Sequence, residues 1–372
     1  MRFADIPGHE DVKKRLRDMA DSDRLPHALL LEGPAGTGKF ALARAMAQYI
    51  HCTNRVGGDS CGHCPECRQH QSFNHIDTVY TFPVIKKKSK PTISADYFDE
   101  FKTFVQTDPF MDFRNWTPML DNPNAQPQIY VDEGVELIRR LTFMTRRSAR
   151  KVALMWLPEK MVPATANKLL KLIEEPFGDT MFILTSDTPR LILPTIYSRT
   201  QRIEVARYSD SELAVILTSK GYAPAAVADA VAVADGSVSE ALRYLTDSGR
   251  YQQFFGLFTE LMRKAYARRV SDLRKWSVQA AELGREGAIQ FIDYMGRMVR
   301  ESFIMHLRDP RLQACGATER AFLTKFHPFI NHRNVEDFMR QLDSAREQIA
   351  ANGNAKIIFF DFAVRAIILI RR

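Results

Sequence analysis

The sequence predicts an α/β protein, a parallel-sheet domain built around a phosphate loop and followed by an all-helical C-terminal part. Three observations predict it. Residues 33 to 40 read Gly33-Pro34-Ala35-Gly36-Thr37-Gly38-Lys39-Phe40, a phosphate loop at seven of eight positions. It follows the strand-length apolar run Ala28-Leu29-Leu30-Leu31 and opens a helix from about Lys39 to His51, the context such a loop requires. Further strand-like runs alternate with helical patterns as far as Val205, after which the texture turns wholly helical.

The loop needs its glycines, Gly33, Gly36 and Gly38, because its backbone N–H groups must turn inward around a polyphosphate. Lys39 would reach the terminal phosphates, with the positive end of the following helix behind it. The next residue should be Ser or Thr, whose hydroxyl holds magnesium; here it is Phe40, which has no oxygen. A Gly-rich turn without a ligand is the bland alternative. The full spacing favours a true phosphate loop whose magnesium chemistry is damaged.

Composition narrows the class. With 372 residues, 45% hydrophobic and 26% charged, the chain suits an ordinary globular protein of about two or three domains. No apolar run follows Met1-Arg2-Phe3-Ala4-Asp5, so no secretory signal is expected. The longest apolar stretch, Ile357 to Ile370, is too short to span a bilayer and carries Asp361 and Arg365, which predicts a buried helix and no membrane association. Five cysteines, four of them clustered, fit metal binding in a reducing cytoplasm better than disulfides. Of the net charge of +8, the part from Tyr251 onward carries +7 (20 Lys and Arg against 13 Asp and Glu). An acidic partner such as nucleic acid is compatible with this, as is a simply solvated basic face.

Taken in order, Phe3 to Arg24 reads as a short amphipathic helical region with Val12, Leu16 and Met19 at helical spacing. After the loop helix come Cys52, Cys61, Cys64 and Cys67, spaced C-x8-C-x2-C-x2-C. Four thiolates at this spacing can close a tetrahedron around one structural zinc ion, with Gly57, Gly58, Gly62 and Pro65 supplying the turns. His51 and His63 are read as bystanders, and Cys315 as a small core residue. About 82–128 reads as an insertion. It holds the basic tract Lys86 to Pro91, the turn material Asp121 to Pro127, and between them Tyr97, Phe98, Phe101, Phe104, Phe110, Phe113 and Trp116, which would pack it onto the body. The lysine run is read as a solvated loop rather than a phosphate contact. Order resumes at Ile129-Tyr130-Val131 and continues as an arginine-rich helix through Arg147. Lys151 to Leu157 is a buried strand; a nucleotide hydrolase would end it in Asp-Glu, and here stand Trp156 and Leu157. A helix carries Asn167 to Pro176, Met181 to Ser186 forms another strand, and Ile203-Glu204-Val205 closes the sheet. Ser209-Asp210-Ser211-Glu212 starts a helix, Ala223 to Ala234 is alanine-rich, and Asp235-Gly236-Ser237 starts a further helix through Leu245. Long helices then run to the end, with breaks near Gly284, Asp309-Pro310 and Asn352-Gly353-Asn354.

These residues resemble the AAA+ subunits of the bacterial DNA polymerase III clamp loader, over about residues 5 to 245. The resemblance rests on Leu25-Pro26-His27-Ala28 before the loop and on the four-cysteine module behind its helix. It rests also on Asn167 to Pro176, similar to the family's N-x-L-L-K-x-x-E-E-P signature, and on Ser198-Arg199-Thr200, where the family has Ser-Arg-Cys. The resemblance implies an AAA+ domain over 1–207 with the zinc module at about 52–67, a small helical lid over 208–248, and a helical collar over 249–372 that joins subunits into a ring. It also implies the partners: gamma/tau-type ATPase subunits and delta in a mixed ring, the sliding clamp and primed DNA. The family's hydrolysing subunits keep Ser or Thr after the loop lysine, Asp-Glu in the second motif and an Arg in the second-domain sensor. This chain has Phe40, Trp156-Leu157 and Ser239. With Arg199 kept, the combination resembles the delta-prime type: no ATPase of its own, weak or absent ATP or ADP binding, and an arginine finger offered to a neighbour. Two other readings stay open, a hydrolysing gamma/tau-type subunit and a stand-alone zinc-containing nucleic-acid binder.

Overall fold

A computed structural model describes residues 1–22, 24–87, 91–120, 126–143, 150–307, 309 and 312–372. Lys88 to Lys90 of the basic tract, Asp121 to Ala125 of the turn material, and the expected helical stretch from Met144 to Arg147 lie outside the described residues. The chain divides into two compact units, Met1–Lys220 with Gly236–Ser239, and Gly221–Asp235 with Glu240–Arg372.

In the first unit the order is α1 (Glu10–Asp21), β1 (Ala28–Glu32), α2 (Lys39–His51), α3 (Pro65–Gln71), β2 (Thr78–Thr81), α4 (Phe98–Thr107), α5 (Phe113–Trp116) and α6 (Val131–Phe143). It continues through β3 (Lys151–Trp156), α7 (Pro163–Glu174), β4 (Thr180–Ser186), α8 (Pro194–Tyr197), β5 (Gln201–Glu204) and α9 (Asp210–Ser219). The five strands form one sheet in the order β2-β3-β4-β1-β5 with every pair parallel. This is the AAA+ type of phosphate-loop sheet. β1 sits between β4 and β5, with Leu29 opposite both Ile183 and Gln201, and Glu32 opposite both Ser186 and Glu204.

A strand covered on both faces reads as a continuous apolar run, which is why Ala28 to Leu31 carries no polar residue. Its side chains alternate between two cores. Leu29 and Leu31 join Val152, Leu154, Trp156, Met181 and Ile183 against α1, α2 and the rings of α4 and α5. Ala28 and Leu30 join Ala153, Met155, Phe182 and Leu184 against Leu137 and Leu141 of α6 and Leu169 and Ile173 of α7. The strand β2 was not visible in the sequence pattern. It is short, half threonine, fully buried, and paired only to β3. The helix start expected at Ser209 is a capping box: Glu212 N–H donates to Ser209 Oγ at 3.3 Å, and Ser209 N–H to Glu212 Oε2 at 2.8 Å.

The second unit is helical throughout its described residues. It holds α10 (Pro224–Ala234), most of α11 (Val238–Thr246), α12 (Ser248–Tyr266), α13 (Val270–Ala281), α14 (Gly284–Ile304), α15 (Ala317–Phe326), α16 (Val335–Ala350) and α17 (Ala355–Leu369). Phe258, Trp276, Phe291, Phe338 and Phe359 form its core, where Cys315 is also buried. The Trp276 indole N–H finds Leu257 O at 2.9 Å, so the largest core ring leaves no orphan donor. Arg297 pairs with Glu319 at 2.6 Å, and Tyr294 donates to the same carboxylate at 2.8 Å. α17 buries Ile358, Phe359, Phe362, Ala363 and Ala366 while Ile357 and Ile368 stay exposed, so this apolar stretch is one-sided. Among the described residues no helix is long and apolar enough to cross a membrane.

Candidate functional site

The phosphate loop leaves the C-terminal end of β1, the edge of a parallel sheet where ligands bind. Gly36 has φ +76°, and a Cβ there would stand 2.3 Å from Ser237 Oγ, so only glycine fits. Gly33 lies against the backbone of Val205, whose carbonyl a Cβ would meet at 2.2 Å. Gly38 sits at the N-cap of α2. Four successive loop carbonyls accept hydrogen bonds from the protein itself. Pro34 O takes Thr37 Oγ1–H at 3.0 Å and the Lys39 ammonium, and Ala35 O takes Ser237 Oγ–H at 3.0 Å. Gly36 O takes Val238 N–H at 3.1 Å, and Thr37 O is 2.9 Å from His9 Nε2.

Lys39 is buried, and its Nζ lies 2.8 Å from Asp187 Oδ1, just past the end of β4. Burial pushes the Asp187 carboxyl above its usual range, and the Lys39 ammonium opposes that shift. Glu159 stands nearby. Its Oε1 accepts the N–H groups of Asp187 and Thr188 at 2.9 and 3.0 Å, and burial followed by the Asp187 charge raises its carboxyl. Neither acid was picked out from the sequence, because nothing in the spacing ties residues 159 and 187 to a lysine at 39. Glu159 is spent on a turn and Asp187 on the loop lysine.

Where magnesium chemistry would need oxygen ligands, the site holds rings. Phe40 points into the core and meets Phe101 edge-on, 5.7 Å between centroids. Trp156 is enclosed by Phe101, Phe104, Phe113 and Trp116 at 5.6 to 6.4 Å. Leu157 is buried beside it in a left-handed backbone conformation, φ +58°. The rings of the 82–128 segment therefore pack on the tip of β3 and on the residue after the loop lysine. Lys87, the last described lysine of the basic tract, lies over the Tyr97 ring at 4.6 Å.

Arg199 belongs to the other end of the sheet. It follows α8 and precedes Gln201, which pairs with Leu29 at the start of β1, whereas the loop leaves β1 beyond Glu32. Its backbone N–H donates to Ile196 O at 3.1 Å, its Nη1 to Thr195 O at 2.8 Å, and its Nε lies 3.1 Å from Glu174 Oε2. Thr200, in place of the family's Cys, is buried and its hydroxyl donates to Tyr197 O at 2.9 Å.

Cys52, Cys61, Cys64 and Cys67 come together with all four Sγ atoms within 4.8 Å of one another. Cys61 and Cys67 are 3.9 Å apart, against about 3.8 Å for the edge of a zinc–thiolate tetrahedron. Backbone N–H groups point at the sulfurs: Cys61 at Cys52 and Cys64 at Cys61, both 3.3 Å, and Cys67 at Cys64, 3.4 Å. Burial works to raise Cys64, but N–H donation from Cys67 and Thr53 outweighs it and holds that thiol at about 6. Burial raises Cys52 and Cys67. One thiolate is thus favoured and its neighbours resist ionising, a conflict that a divalent cation removes. The donor set fits a metal ion.

A second buried group, His51, His70 and His75, was not legible from spacing. His51 Nδ1 lies 2.8 Å from His70 Nε2, its Nε2 donates to Arg150 O at 2.7 Å, and His75 Nε2 lies 2.8 Å from Glu66 Oε2. The rings are stacked, with His51 and His75 only 4° from parallel at 4.1 Å. His75 stacks on both other rings, so its in-plane lone pairs run beside theirs instead of converging on the His51–His70 contact. The group is a hydrogen-bonded stack behind the cysteine module.

The family model for "DNA polymerase III, delta subunit" matches residues 8–209, more than half of the chain. The chain belongs to this family. Within it, the chain is similar to delta-prime subunits. It is 32% identical over 173 residues to DNA polymerase III subunit delta' of Pseudomonas aeruginosa, a match covering 46% of this chain and 41% of the relative. It is 29% identical over 192 residues to the Bacillus subtilis subunit delta', covering 52% and 46%. The tau/gamma subunit of Haemophilus influenzae is 25% identical over 256 residues, covering 66% of this chain and 30% of the relative. The matched stretches thus span less than half the length of each of these relatives. A solved gamma subunit-related protein of Thermotoga maritima, 12% identical, covers 96% of this chain and 99% of its own with a TM-score of 0.46, a likeness too loose to bear on function.

Proposed function

We propose that the chain is a non-hydrolysing subunit of a clamp-loader ring and that Arg199 completes the ATP site of a neighbouring subunit. The observation that carries this reading is a division of labour across the sheet. At the loop end, the positions that need oxygen hold Phe40, Trp156 and Leu157 in a packed core, and Lys39 is engaged by Asp187. At the opposite end, Arg199 is about one-third exposed and held by one edge of its guanidinium, too far along β1 to serve its own loop. An arginine so placed can act only on phosphates brought by another chain. In that role Arg199 would donate hydrogen bonds to the oxygens on which charge builds up during phosphoryl transfer.

The rest of the reading follows the family. The partners are gamma/tau-type ATPase subunits and delta, and the ring opens the sliding clamp onto primed DNA. Cys52, Cys61, Cys64 and Cys67 hold one zinc ion, whose chemistry there is purely structural because four thiolates leave no open position. Residues 1–207 form the AAA+ domain, 208–248 the lid and 249–372 the collar. The loop glycines Gly33, Gly36 and Gly38 and Lys39 retain at most weak affinity for ATP or ADP.

The test is a ring reconstituted with Arg199→Ala. It should assemble normally and lose about tenfold or more of the DNA- and clamp-stimulated turnover at the one affected site. Arg199→Lys should not rescue it, since one ammonium cannot reproduce a planar fork of donors. Normal turnover in both variants would reduce Arg199 to a surface arginine.

A further inference from the structure

We propose that Glu174 is the positioning residue for the Arg199 finger, a role that rests on the trans-acting reading of Arg199 above and goes beyond it. Glu174 is the last residue of α7, in the stretch Asn167 to Pro176, and 25 positions separate it from Arg199. The fold closes that gap. Glu174 Oε2 lies 3.1 Å from Arg199 Nε and Oε1 lies 3.4 Å from Nη2, so the carboxylate lies along one side of the guanidinium plane. Thr195 O takes Nη1 at 2.8 Å from the adjoining α8. The C-terminal, negative end of α7 adds a second favourable term for a cation at this point.

A guanidinium has five N–H donors. Nη1 donates one to Thr195 O and Nη2 one to Glu174 Oε1, while the Nε–H is buried 3.1 Å from Glu174 Oε2 without a hydrogen bond, which leaves two for an incoming phosphate oxygen. Arg199 is a long side chain on a short turn, and unrestrained it would sample many rotamers. Gripped on one side, it presents a fixed fork, and fixed donors are what stabilise a transition state without reorganising.

The pair is 36% and 52% exposed, and an ion pair that wet contributes little to folding. Orientation is the property that such a contact does change. The carboxylate also partly neutralises the arginine while the site waits, but it does so from the side and leaves the outward donors open.

The experiment compares Glu174→Ala, Glu174→Gln, Arg199→Ala and the Glu174→Ala/Arg199→Ala double variant in the reconstituted ring. The readouts are assembly, ATP KM and stimulated kcat. Glu174→Ala should assemble with the parent's thermal stability and lower kcat about three- to tenfold with KM for ATP unchanged. Glu174→Gln, which keeps an acceptor, should recover part of that loss. The double variant should be no slower than Arg199→Ala alone, because a positioning residue has nothing left to position. Parent-like or faster turnover in Glu174→Ala, losses that add in the double variant, or failure to assemble would each overturn the role. If Arg199→Ala is itself parent-like, the finger reading falls; if only Glu174→Ala is parent-like, the finger stands and the positioning role falls.

Discussion

At the scale of single residues, Phe40 is where the loop departs from the phosphate-loop pattern. The sequence showed that an oxygen was missing there; the structure shows what replaced it. Phe40 is buried against Phe101 and Tyr80, so the ring is now part of the fold and not a bare deletion of a ligand. Restoring the hydroxyl should therefore fail twice. Phe40→Ser should destabilise the first unit by about 3–5 kcal/mol in urea unfolding, the usual cost of emptying a phenylalanine site. It should leave ATP turnover of the isolated chain at background, because Trp156 and Leu157 still offer no acid. A stable, hydrolysing Phe40→Ser would show that the aromatic packing is incidental. The engagement of Lys39 by Asp187 was beyond sequence reasoning for a plain reason: 148 positions separate the two, and only the pairing of β1 with β4 brings their ends together.

At the scale of elements, legibility followed periodicity. β1, β3 and β4 announced themselves as apolar runs between turn signals, β5 only through Ile203-Glu204 at its end, and α9 by its Ser209–Glu212 box. β2 did not, because Thr78-Val79-Tyr80-Thr81 is too short to show alternation and owes its burial to tertiary packing. The cysteine module was legible because ligand spacing is a local property, whereas the histidine stack behind it joins α2, α3 and the turn before β2. The module's order should depend on its metal. α3 is only two turns long and is capped by Cys64 itself, so it has little to hold it otherwise. Elemental analysis should find one zinc per chain, and Cys64→Ala should lose it together with thermal stability in the same unit. Full zinc stoichiometry in that variant would remove Cys64 from the ligand set, and zinc-free native protein would remove the site.

At the scale of the whole molecule, the proposed function has the chain separate two halves of one chemistry onto opposite ends of a sheet and discard the half it would use itself. Under the proposed function this makes turnover a property of the ring. Arg199→Ala should then have unequal effects on the two things a ring does. Total ATP hydrolysis should fall only in part, since the other sites keep their own arginines. Clamp loading needs the sites to act together, so one site that does not fire should stall the cycle, and loading should fall by a larger factor than hydrolysis. Measuring both rates on the same reconstituted complexes gives the ratio directly. A loading loss equal to or smaller than the hydrolysis loss would mean that the affected site is a spectator to the cycle. Arg199 would then matter for one turnover event but not for the machine. A loading loss that greatly exceeds it, with assembly intact, is the outcome that ties this surface arginine to the work of the ring.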